Sequence, residues 1–227
     1  MRYLLLGALV LGALTVAPSA GATNECRGLN PCVPVAGPWV VVPTAATVPR
    51  PQAQYQLTCP RGFVVAGIDA ELSDQAIDLA FLGTSGTPVS PGVTTSRSIV
   101  FVASYVGGRP RAPTFRPHIG CIPASGGGTR TPTAVRAVTP PGHPTTRRVV
   151  TARVRGQSMV DTACRADERL VGWYLARGFA TAAPPAPAVV ASLYTKTTVS
   201  RNAVSVVARA GRGQGIVQLA AICAGGK

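Results

Sequence analysis

Few side chains in this sequence are suited to moving protons or activating a nucleophile. Histidine, the usual proton shuttle near neutral pH, occurs only as His118 and His143. In "FRPHIGC" Phe115, Ile119 and Cys121 share one strand face, so alternation predicts that Arg116 and His118 point outward. His143 lies in "PPGHPTT", a proline-rich stretch that would hold a catalytic group poorly. No Gly-x-Ser-x-Gly is present, because "GQSMV" breaks the pattern at its last position. "GRGQG" at 211–215 has no helix after it and reads as a hairpin turn, not a phosphate loop.

Half of the eight acids fall within ten residues: Asp69, Glu71, Asp74 and Asp78. Grouped carboxylates suit two chemistries. Oxygen ligands hold Ca²⁺, and a carboxylate pair at a set separation hydrolyses glycosides. The matching stretch of the second half, "YLARGFATAAP", has no acid, and the plainer reading is a polar edge between two strands. The expectation is a protein that is not an enzyme and needs no cofactor or metal. A carbohydrate-active hydrolase and a Ca²⁺-dependent adhesion module, both using residues 69–78, are the alternatives.

The six cysteines, Cys26, Cys32, Cys59, Cys121, Cys164 and Cys223, include no Cys-x2-Cys pair of the kind thiolate metal sites usually show. Their even number in an exported chain predicts disulfides. "CPRGFVVAG" places Gly67 eight positions after Cys59, and "CRADERLVG" places Gly172 eight after Cys164. "SRSIVFVASYVG" from Ser96 parallels "SRNAVSVVARAG" from Ser200, and the halves close on Cys121 and Cys223. Landmarks in one order with nearly equal gaps predict two copies of one supersecondary design. Cys59 then pairs with Cys121, Cys164 with Cys223, and Cys26 with Cys32 around a small loop. In the chain-entropy model a loop of about 60 residues contributes about 4 kcal/mol.

The stretches "CPRGFVVAG", "IGCIP" and "VQLAAICA" resemble repeats in secreted proteins of high-GC Gram-positive bacteria. Those repeats open with a Cys-Pro-x-Gly strand and close on a cysteine-bearing strand. The resemblance covers residues 55–124 and 160–225 and implies exported β repeats, with no activity attached. The second copy departs from it, carrying Arg165 for proline and Asp167 for glycine.

Strands must position these residues. Val217, Leu219, Ala221 and Cys223 alternate onto one face, as do Tyr55 and Leu57 with Cys59, and Val160 with Cys164. Val100, Val102, Val204 and Val206 are expected to add inward rows. A strand is expected from Ile77, with "VVASLYT" as its counterpart. The fold class is mostly β: two tandem disulfide-tied β-sandwich-like repeats, or two halves of one β domain.

At the start, Arg2, the uncharged apolar run from Leu4 to Val16 and the small residues Ala20-Gly21-Ala22 read as a signal peptide cleaved after residue 22. The run is too short to span a bilayer, which needs roughly 20 apolar residues. The expected organisation is a signal peptide (1–22), an N-terminal segment with the small cysteine loop (23–50), repeat one (51–123), a Gly/Pro/Arg-rich linker (124–148) and repeat two (149–227). Net charge is +14, carried almost wholly by arginine. Residues 122–160 hold Arg130, Arg136, Arg147, Arg148, Arg153 and Arg155 and no acid. These are the candidate anion-binding residues. A positive exterior attracts anions without discriminating among them. For an exported or wall-associated protein the expected partners are anionic cell-wall polymers or glycans, not nucleic acid.

Overall fold

The structure, a computed structural model, describes residues 23–45, 49–84, 96–108, 112–124 and 145–225. The expected signal segment, most of the expected linker, Arg130, Arg136 and His143 lie outside the described residues. Among those described, no helix is long and apolar enough to cross a membrane.

The first unit contains β1 (Val33–Ala36), β2 (Trp39–Val41), β3 (Gln52–Thr58), β4 (Phe63–Leu72), β5 (Ile77–Gly83), β6 (Ser98–Tyr105) and β7 (Thr114–Pro123). The second contains β8 (Thr145–Ala163), β9 (Glu168–Phe179), a one-turn helix α1 (Pro187–Ala191), β10 (Leu193–Val199) and β11 (Ala203–Gly225). The fold is mostly β and sandwich-like, and all pairings are antiparallel. Residues 145–148, expected in the linker, are already part of β8.

In the first unit β3, β6 and β5 form a three-stranded sheet. It faces β7, which β1 and β4 flank. In the second, β8 and β11 each serve both layers. Their 156–163 and 203–210 parts pair with each other beside β10, and their 145–154 and 215–224 parts pair beside β9. The register breaks between Ala210 and Gly215, where Gly213 has a φ of 70°. "GRGQG" is therefore not a hairpin turn but the irregular crossing of one long strand between layers. Its glycine takes a left-handed backbone that other residues rarely adopt.

Local chemistry explains these elements. Period-two alternation puts Val217, Leu219, Ala221 and Cys223 fully inside. Cys59 bonds Cys121 and Cys164 bonds Cys223, with Cα–Cα distances of 5.8 and 5.5 Å, each tying the two layers of its unit. Cys26 bonds Cys32, and no described cysteine is free. The three disulfides suit an oxidising compartment. β4 and β9 each carry a bulge, at Ala66 and Val171, seven positions after Cys59 and Cys164. The turn after each first cysteine closes the same way, by Phe63 N–H to Pro60 O and Glu168 N–H to Arg165 O. Gly62 takes a φ of 82° in the first turn; Asp167 needs no positive φ in the second.

One core cluster lies mainly in each unit, but Val41 of β2 joins the second and Ala176 of β9 joins the first. One of the two inward rows differs from expectation. Val204 and Val206 do enter the second core, but in β6 the core side chains are Ile99, Phe101, Ala103 and Tyr105. Val100 and Val102 are buried on the opposite face, which rests on the second unit. That contact is continuous: β2 pairs with both β7 and β9. Gln218 Oε1 accepts from Gln56 N–H at 2.6 Å, and its Nε2 donates to Gln56 O at 3.0 Å. A buried amide thus mimics a strand partner across the seam.

Candidate functional site

The acidic cluster is taken apart by its own strands. Asp69 Oδ2 accepts Asn24 N–H at 2.7 Å. Asp74 accepts Ala76 N–H at 2.8 Å and the Tyr105 hydroxyl at 3.2 Å. Glu71 lies 2.9 Å from His118 Nε2 and 3.8 Å from Arg116. The four carboxylates do not converge on a metal-sized point. Among the described residues the one group close enough is Cys164, Glu168 and Cys223, whose two sulfurs are bonded to each other.

His118 does not face solvent, contrary to the strand-face expectation. It is 5% exposed, with Glu25 Oε1 3.8 Å from Nδ1. The alternation is as expected; the exposure is not, because the chain around Glu25 lies over this face of β7. Gly67 and Gly120 permit the approach. A Cβ on either would stand 1.7 or 2.0 Å from the Glu25 carbonyl oxygen. A histidine between two carboxylates has the composition of an acid–base pair, yet here it is closed under the N-terminal segment.

Of the candidate arginines, Arg148 grips Glu168 through Nη2 at 2.8 Å, with Nε at 3.3 Å. The Arg165 N–H bonded to Glu168, and then the Arg148 guanidinium, hold that carboxyl below its ordinary value. Arg147 is turned into the seam between units, where Nη1 donates to Gln54 Oε1 at 2.8 Å and the guanidinium lies 5.3 Å from the Tyr174 ring centre. Burial pushes its pKa down, and Tyr174 opposes that. Arg153 and Arg155 are exposed, and neither side chain is hydrogen-bonded or ion-paired among the described residues.

Arg153 borders a cleft of about 580 Å³ lying between the two units. Across from it stand Arg116, the Tyr55 ring and the Gly37–Pro38 turn. Arg116 is anchored by Nε to Gly37 O at 3.2 Å. Thr151, on the second unit, accepts from Gln218 Nε2 at 3.0 Å, so its hydroxyl proton remains available. Burial pushes the Tyr55 phenol up to about 12, so it stays a neutral donor over the physiological range. Its oxygen has no protein partner and is not enclosed. No acidic residue lines the cleft among the described residues. The arrangement offers the unpaired Arg153, an Arg116 shared with Glu71 and two hydroxyls to an anionic, hydroxyl-rich ligand. Sequence reasoning found Arg153 through the acid-free run but missed Tyr55, Arg116 and Thr151, since nothing local reveals that strands of different units face each other.

No protein-family model matches the chain, nor does any curated protein or solved structure.

Proposed function

We propose that this is an exported, non-enzymatic binding protein of the bacterial surface that holds anionic wall polymers or glycans in the cleft between its units. One observation carries the reading: a cleft of about 580 Å³ presents Arg116 and Arg153 with no carboxylate in its lining. The net charge of +14 adds long-range attraction for a polyanion. Three disulfides and the leader-like first 22 residues agree with export. The matched bulges and turns favour reading the two units as copies of one design, the secreted-repeat pattern noted in the sequence. A duplicated unit then creates, at its seam, a site that neither copy has alone.

The test is retention of the purified protein on anionic wall material across a salt series. Retention at low salt that falls as salt rises is the expected result, because mobile ions screen exposed charge contacts. The retained polymer should show no new reducing ends. Absence of retention at low salt, or steady release of cleaved polymer, would remove the proposal.

A further inference from the structure

Arg147 is the most unusual charge in the molecule. Its Nε and Nη2 are buried and have no hydrogen-bond partner, while Nη1 is held by Gln54. Among the described residues no carboxylate pairs with it, and Glu168 is committed to Arg148 and to the Arg165 N–H. An enclosed charge without a counter-ion is strongly unfavourable, and removing one partner of a buried pair is among the most damaging of changes. The side chain also borders a second cavity of about 220 Å³, walled by Gln54, Thr84, Thr145, Arg147, Tyr174 and the apolar Val100. At about 30 Å³ per water, that space corresponds to roughly seven waters.

The two idle donors are neighbours on one edge of the guanidinium. Nε–H and Nη2–H project in parallel, at the spacing of the two oxygens of a carboxylate, the geometry of a bidentate fork. Gln54 gives its carbonyl to Arg147, which leaves its amide N–H groups to donate. Thr84 and Thr145 supply hydroxyls, and Tyr174 covers the guanidinium face.

We propose that this seam cavity is a binding site for a small carboxylate, held side-on by Arg147 and completing the contact between the two units. The site is separate from the Arg153 cleft and does not rest on it. Each ligand oxygen accepts one Arg147 donor, and the body of the ligand lies between Val100 and Tyr174. The cavity suits a carboxylate on a short chain or single ring, not a polymer. A free metabolite acid and a terminal sugar acid share this chemistry.

The test measures the melting temperature of the full chain in acetate, glucuronate, sulfate, phosphate and chloride at fixed ionic strength and pH 7. Carboxylates are expected to raise it in a saturable way, since a ligand that binds only the folded form stabilises it by mass action. Acetate against glucuronate separates the short-chain source from the sugar acid. R147K, which keeps the charge but loses the fork, should weaken carboxylate affinity about tenfold. R147M should abolish the response to acetate, and in chloride it should melt no lower than wild type, because the uncompensated charge is gone. R153A should leave the acetate response unchanged, so failure here and failure of the cleft are told apart. Equal melting of wild type in all five salts would overturn the proposal. So would an R147M protein that still responds to acetate. A response equal for all anions would mark an adventitious ion only and would also overturn it. Calorimetric titration of wild type and of R153A with acetate decides the matter should either Arg147 variant fail to fold.

Discussion

Glu168 shows how one side chain fixes a turn in a unit that lacks the glycine of its counterpart. It accepts the Arg165 N–H at 2.8 Å and the Arg148 guanidinium, and these contacts favour its ionised form. A carboxyl whose folded pKa is depressed stabilises the fold above its unfolded value, which is 4.5 for this group. That contribution disappears as pH falls from there through the folded value. Glu168→Gln should therefore lower the melting temperature at pH 7 and flatten its decline below pH 4.5, as read by thermal melts along a pH series. Parallel declines in both proteins would contradict the assignment. This contact was not legible from the sequence, because Arg148 lies 20 residues away and belongs to a stretch that reads as linker. The acids at 69–78 misled in the opposite sense. They are close in the chain, but Asp69, Glu71 and Asp74 hold the N-terminal segment, His118 and the Tyr105 loop respectively.

At the scale of elements, strand parity was readable wherever one face alone is apolar. The Leu219 and Cys223 row, the Tyr55 and Leu57 row and the start of β5 at Ile77 all follow from period-two alternation. β6 defeats the same rule. "SIVFVASY" is apolar on both parities because both its faces are covered, one by the first core and one by the second unit. A continuous apolar run is the signal of such a strand, though it does not say which residues enter which core. The cover over His118 left a fainter trace in Gly67 and Gly120, small residues paired across β4 and β7. Gly67→Ala should force the Glu25 segment away and cost about 1–3 kcal/mol, as overpacking does. Gly172→Ala should change stability by less than about 0.5 kcal/mol, since its added Cβ would meet only Ile222 at 3.8 Å. Chemical denaturation of the two variants measures the contrast, and equal losses would contradict the N-terminal contact.

For the molecule as a whole, the seam decides what the protein can do. Each unit has its own core and disulfide, yet β2 pairs across both, and Gln218 is buried where the units meet. Replacing it by alanine leaves the N–H and C=O of Gln56 unpaired, at a cost of about 2 kcal/mol. A denaturation midpoint unchanged in Gln218→Ala would show that the seam contributes nothing. The composition already carried the charge imbalance and the disulfide chemistry of the cysteines, but no stretch of sequence states which faces of two similar units touch. The cleft and the Arg147 cavity both arise from that contact.

The most direct measurement is calorimetric titration of wild type and Arg153→Ala with an acidic oligosaccharide and with the same oligosaccharide after reduction of its carboxyls. Wild type should bind the acidic form, lose affinity as salt rises and bind the neutral form weakly. Arg153→Ala should lose about tenfold or more for the acidic form, the scale of one charge-assisted hydrogen bond. Equal affinity for the two sugars, or an alanine variant as tight as wild type, would contradict the account.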